Sequence, residues 1–145
     1  LETIDRYFKD NPETDLFYHG MYQNFEEEGT SVVRRSYIPA LPLDKERILK
    51  EQYIPGCFAY TKKFIKEVPY RNSYCSEDWM LILDAVFKNK RIGYLNQGLY
   101  EYCLRTDSNS MSHEGTGHYE KDEENIKEIL EREYNIKGFS YAPRR

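Results

Sequence analysis

Ser76-Glu77-Asp78-Trp79-Met80-Leu81-Ile82-Leu83-Asp84-Ala85-Val86-Phe87 is the stretch whose reading decides the fold. A serine ahead of two acids and a long apolar run reads as a helix start. The Ser76 hydroxyl can accept from a free backbone N–H of the first turn. Glu77 and Asp78 fall where the helix dipole favours negative charge. Apolar residues continue almost all the way round, which predicts a buried helix rather than a half-exposed one. Two carboxylates at the mouth of a buried helix are either a cap or a site.

Working outward, the flanks alternate strands with helices. On the N-terminal side, Cys57-Phe58-Ala59-Tyr60 reads as a short strand after the turn Tyr53-Ile54-Pro55-Gly56. Thr61 caps a helix with Phe64, Ile65 and Val68 on its apolar face, stopped by Pro69. On the C-terminal side, Arg91-Ile92-Gly93-Tyr94-Leu95 and Gly98-Leu99-Tyr100-Glu101-Tyr102 are two strand candidates separated by Asn96-Gln97. Further out, Leu1, Ile4 and Phe8 have helical spacing, and Asn11-Pro12 ends that helix. Asp15 to His19 is an apolar strand that Met21 to Phe25 extends or follows, and Ser31 to Arg35 is a weaker strand. Asp44 caps a short helix running to about Gln52, and residues 105–117 form a long polar loop. The last helix, residues 117–135, sets Tyr119, Ile126, Ile129, Leu130 and Tyr134 against an acidic face, and Gly138 follows it. The alternation puts the fold class at α/β or an α+β sandwich, in one domain spanning residues 1–145.

Composition narrows the function classes. The chain has 145 residues, enough for one core, and 14 of them are tyrosine. Tyrosine has an apolar body and a polar tip, so it suits wet grooves as well as core edges. The net charge of −4 argues against a nucleic-acid backbone as partner. Seven acids against three bases between Glu120 and Glu133 account for that charge, most simply as a solvated helix face. Cys57, Cys75 and Cys103 have no metal or redox spacing and fit free thiols in a reducing, cytoplasmic compartment. No apolar run has the length of a membrane span. No Gly-rich phosphate loop is present, and Leu1 falls inside an apparent helix, which predicts a longer parent protein.

Three stretches taken together resemble the family 2 glycosyltransferases, inverting sugar transferases of the GT-A fold. The first is Pro55-Gly56-Cys57-Phe58-Ala59-Tyr60-Thr61-Lys62-Lys63-Phe64-Ile65, like that family's small-residue strand leading into a basic helix. The second is Ser76-Glu77-Asp78-Trp79, like its Glu-Asp signature followed by an aromatic residue. The third runs from Arg91 to Leu95 and from Leu99 through Tyr100-Glu101-Tyr102 to Arg105-Thr106-Asp107-Ser108-Asn109-Ser110, like its closing strand, Tyr-x-Tyr and basic-Ser loop. Asn11-Pro12-Glu13-Thr14-Asp15-Leu16-Phe17-Tyr18 is similar to the segment after that family's metal-binding Asp-x-Asp. The resemblance covers residues 1–113. It implies an α/β fold, a partial GT-A, Rossmann-like mixed sheet flanked by helices that lacks the N-terminal nucleotide-binding strands and the Asp-x-Asp, and hence a fragment inactive alone.

The resemblance assigns roles. Asp78 matches the general base that takes the proton of the acceptor hydroxyl, with Glu77 beside it. Trp79, Gly56 and Cys57 match acceptor-lining positions, although core packing is open for Trp79 and a buried strand for Phe58. Arg105 stands where many members carry a metal-holding His. Arginine has no acceptor and would instead grip a donor diphosphate oxygen, or else pair with Asp107 or the acidic helix. Ser108 and Ser110 would bond phosphate or shape the loop. Implied partners are a nucleotide-sugar donor and a glycan or lipid-linked acceptor at the inner face of the membrane, with Mg²⁺ or Mn²⁺ on the absent ligands. His113 and His118 flank Glu114 without a strong metal spacing, and His19 reads as structural. The rivals are a non-catalytic binding domain using a Tyr-rich groove, and a hydrolase using paired carboxylates. A sheet missing strands leaves an open edge, which predicts a homodimer.

Overall fold

A computed structural model describes residues 1–26, 33–73, 76–104 and 117–139. Element order is α1 (Glu2–Asp10), β1 (Leu16–Glu26), β2 (Val33–Ile38), a 3₁₀ turn (Arg47–Leu49), β3 (Phe58–Tyr60), α2 (Lys62–Glu67), α3 (Glu77–Phe87), β4 (Ile92–Leu104) and α4 (His118–Tyr134). The fold is mixed α/β with a four-stranded sheet.

β1 is the centre of the sheet. β4 pairs with it in parallel along one edge, from Leu16↔Ile92 to Phe25↔Leu104. The other edge is shared in succession by two antiparallel strands. β3 takes Leu16 to Tyr18, and β2 takes Met21 to Glu26. Alternation along β1 sends its side chains to two layers. Leu16 and Tyr18 join the buried cluster formed with α3 and α4, including Trp79, Leu81, Leu83, Ile126 and Leu130. Phe17 points the other way, where Tyr7 of α1 stacks on it at 4.0 Å between ring centroids and Phe8 meets it at 5.2 Å.

Two local expectations change. Asn96-Gln97 does not separate two strands. β4 is continuous, and the register against β1 shifts around Gly20, so Asn96 and Gln97 are accommodated as an irregularity in one long strand. The bulge re-aims Asn96, whose Oδ1 accepts from the Tyr37 hydroxyl at 2.6 Å and from the Ala40 N–H at 3.3 Å. Asp44 does cap, accepting from the backbone N–H groups of Glu46 and Arg47 at 3.0 Å each, but only a three-residue 3₁₀ turn follows. Met21 to Phe25 extends the first strand without a break. Thr61 caps α2 as its sequence implies, its Oγ1 accepting from the Phe64 N–H at 3.1 Å.

α3 is buried from Trp79 to Val86. One polar residue, Asp84, lies in that run, and it is held by three donors. Arg71 gives Nε to Oδ2 at 2.7 Å and Nη2 to Oδ1 at 3.1 Å, and the Tyr134 hydroxyl gives to Oδ1 at 2.5 Å. Arg71 also pairs with Glu133 at 2.8 Å. These contacts push both donors upward in pKa, Arg71 through the Asp84 carboxylate first and Tyr134 through burial first. The network fastens the C-terminal end of α4 to the middle of α3. The end of α4 itself turns in the left-handed region at Asn135, φ 53°, rather than at Gly138.

Candidate functional site

The start of α3 carries the candidate site. Ser76 occupies the cap position, but its side chain makes no capping hydrogen bond. Instead its buried backbone N–H donates to Oδ2 of Asp122 on α4 at 2.9 Å. A carboxylate from another helix therefore takes the cap residue's own N–H, the donor that a Glu or Gln at the third helical position receives in a capping box. Asp122 is buried, so the acidic segment of α4 is not wholly a solvated face. Asp122→Ala leaves a buried N–H without this acceptor and is expected to lower stability by about 1–3 kcal/mol in urea unfolding.

Asp78 is half-buried, and its carboxylate lies against Gly56, which is exposed. A methyl group built at Gly56 would overlap Oδ2 and stand 2.9 Å from Cγ of Asp78. The missing side chain is what lets the carboxylate occupy the notch between the Pro55-Gly56-Cys57 turn and α3. Gly56 and Asp78, 22 positions apart in sequence, thus meet in space. Glu77 is also half-buried, and its Oε2 is enclosed without a hydrogen-bond partner.

The other sequence candidates fall in different places. Cys57 lies next to the notch, its carbonyl accepting from the His19 N–H at 3.2 Å and its Sγ 3.8 Å from the Met21 sulfur. Trp79 is fully buried, donates Nε1–H to the Ile48 carbonyl at 2.8 Å and packs on Phe139 at 5.2 Å, so its position is the core. Phe58 packs against the core from β3. Arg105, Ser108, Ser110, Cys75, His113 and Glu114 lie outside the described residues. His118 opens α4, and His19 is buried with Nδ1 at 2.9 Å from the Gly20 carbonyl. Among the described residues no three His, Cys, Asp or Glu side chains are grouped so as to hold a metal ion. No described helix is long and apolar enough to cross a membrane.

Two tyrosines that the motifs gave no role flank α2. Tyr60 ends β3, and Tyr70 follows α2. Their rings meet edge to face at 6.5 Å and 67°. Burial, then the Tyr60 phenol and the carboxylates of Asp78 and Glu77, push the Tyr70 phenol upward in pKa. The signal for them is in the chain: both are tyrosines flanking a short capped helix immediately before the Glu-Asp pair. Comparison with protein-family models, with curated proteins and with solved structures finds no match to this chain.

Proposed function

We propose that this chain is the acceptor side of an inverting glycosyltransferase of the GT-A type, resembling family 2. The observation that carries the reading is the seating of the half-buried Asp78 carboxylate against the bare backbone of exposed Gly56. A hydroxyl is a poor nucleophile. Asp78 would accept its proton while the hydroxyl oxygen forms a bond to the anomeric carbon of a nucleotide sugar. The bond from that carbon to the diphosphate oxygen breaks on the opposite face, and the diphosphate leaves with the electron pair. General-base assistance of this kind is worth about 10²–10⁴-fold in rate. The four-stranded mixed sheet would be the C-terminal part of a Rossmann-like sheet, with the nucleotide-binding strands ahead of Leu1. On this reading the Mg²⁺ or Mn²⁺ ligands belong to that donor half. Arg105, Ser108 and Ser110 would reach the diphosphate, and the acceptor would be a glycan or lipid-linked hydroxyl on the cytoplasmic side.

The test is made on the chain joined to its upstream donor half. Asp78→Asn keeps the side-chain volume and removes the base, and transfer from a nucleotide sugar is expected to fall at least about 100-fold with little change in KM. Retained transfer in that variant removes Asp78 from the role. Gly56→Ala is expected to lower kcat by roughly tenfold or more, because the methyl displaces the Asp78 carboxylate and a 1 Å misplacement of a reacting group can cost about 100-fold. The chain alone is expected to show no transfer.

A second reading, a binding domain without catalysis, is favoured by the exposed tyrosines of the sheet, Tyr37, Tyr94 and Tyr100. It predicts that Asp78→Asn and Gly56→Ala change nothing in a longer protein, which is the opposite outcome in the same assay.

A further inference from the structure

We infer that His19, Met21 and Cys57 form a binding site for a soft monovalent metal ion, Cu(I), held by one imidazole nitrogen, one thioether sulfur and one thiolate. The third ligand is a methionine, so the set differs from any group of His, Cys, Asp and Glu alone. The inference does not depend on the transferase reading, and neither sugar nor nucleotide enters it.

Strand pairing brings the three together. β1 and β3 run antiparallel with Tyr18 opposite Phe58, and the His19 N–H donates to the Cys57 carbonyl at 3.2 Å. His19 therefore stands opposite Cys57, one step further along the ladder. Side chains of directly opposed residues leave a sheet on the same side, with Cβ atoms about 5 Å apart. Alternation puts His19 on the face of Phe17, whose ring lies 6.3 Å from the imidazole. Met21 comes next on that face of β1, and its sulfur is 3.8 Å from Cys57 Sγ. Two sulfurs that each lie about 2.3 Å from one metal ion, at the tetrahedral angle, stand about 3.8 Å apart, so the pair already has the spacing of two ligands. The imidazole is set as a metal ligand is. Its Nδ1 lies 2.9 Å from the Gly20 carbonyl. A carbonyl only accepts, so Nδ1 carries the proton and Nε2 carries the lone pair. A metal-bound histidine commonly donates its second N–H to a backbone carbonyl in this way.

Ligand type selects the ion. Mg²⁺ and Ca²⁺ take oxygen ligands, and zinc is held by thiolate, imidazole and carboxylate. A thioether beside a thiolate and an imidazole favours Cu(I). Charge agrees with that choice. His19 is 6% exposed and Met21 5%, so an unbalanced charge between them is costly. One thiolate neutralises one monovalent ion. The Cys57 thiol proton passes to solvent as the copper–sulfur bond forms, and no oxidation state changes. Cys57 is half-buried, which gives the ion a way in from solvent.

The experiment titrates the 145-residue chain, carrying Cys75→Ser and Cys103→Ser, with Cu(I) under anaerobic reducing conditions against a chromophoric Cu(I) chelator. The chain is expected to take one equivalent from the chelator, and an equal concentration of Zn(II) is expected not to displace it. X-ray absorption at the copper edge is expected to show two sulfurs and one nitrogen. Cys57→Ser is expected to abolish binding. Met21→Leu keeps the side-chain volume and removes the thioether, and is expected to weaken binding at least about tenfold, the lower end of what loss of an outer-shell partner costs. His19→Gln is expected to do the same. Because Met21→Leu leaves the packing intact, its result decides the matter even where His19→Gln fails to fold. The inference is overturned if the chain takes no copper from the chelator, if the bound copper has a single sulfur neighbour, if Met21→Leu binds as tightly as the parent, or if Zn(II) displaces the copper. No nucleotide sugar is present, so failure here is distinct from failure of the transferase reading, which the Asp78→Asn assay decides.

Discussion

Trp79→Ala is expected to destabilise the fold by about 3–5 kcal/mol, the range for deleting a fully buried large aromatic side chain. The indole sits at the centre of the cluster joining β1, α3 and α4, with no solvent contact. Its removal leaves a cavity facing Phe139 and strips the Ile48 carbonyl of its donor. A folded domain has a total of about 5–15 kcal/mol, so this variant should stand close to the unfolding threshold. Trp79→Phe separates the two contributions. It keeps most of the packing and loses the hydrogen bond, and should cost about 1–3 kcal/mol. The measurement is the urea midpoint with the slope held constant. A cost below about 1 kcal/mol for Trp79→Ala would mean that the ring is not in the core.

Asp84→Ala should have an effect of the same size, for a different reason. Breaking a buried ion pair by removing one partner costs about 3–5 kcal/mol, because the remaining charge is left buried without compensation. Here the group left behind is the Arg71 guanidinium, which keeps Glu133 at 2.8 Å and is 25% exposed, so the cost should fall at the low end of that range. Tyr134 loses its acceptor as well. The double substitution Asp84→Leu with Arg71→Met is expected to cost less than Asp84→Ala alone. Apolar side chains of similar volume can replace a buried pair at little or no cost. If the double variant is the less stable of the two, the network contributes more than the desolvation argument allows.

The long α3 helix was readable because its signals agree: an acidic first turn, an apolar run and a stop at Asn89, which adopts φ 56°. The same holds for Thr61 and α2, where cap, apolar face and Pro69 coincide. Asp84 passed unnoticed inside the apolar run Met80 to Phe87, because nothing local says that Arg71 and Tyr134 converge on it. The cap of α3 was not readable. Ser76 has the right chemistry at the right position, yet its side chain makes no capping bond. The carboxylate that meets this end of the helix is Asp122, 46 residues later, on the N–H of Ser76 itself. Tertiary packing brings that contact in, and no local pattern announces it. The pairing of Asn96-Gln97 failed similarly, since polar residues between two apolar runs look alike whether they turn the chain or bulge from a strand. For the site, the motif order pointed to Asp78 and Gly56 together. Trp79 was ambiguous because an aromatic residue one position past a helix-opening acid faces about a quarter turn away from it. Helical geometry sends it inward while Asp78 stays at the rim.

The way β1 is shared has a consequence for how the protein is made. β1 and β2 are close in sequence and can pair early, but the whole opposite edge of β1 waits for β4, since Leu16 pairs with Ile92. During synthesis the ribosome must deliver the entire α2–α3 region before that edge closes. Until then the nascent chain presents Leu16, Phe17 and Tyr18 on an open template for foreign strands. Parallel pairing between distant segments is intrinsically slow, so this edge sets both the folding time and the window in which aggregation competes.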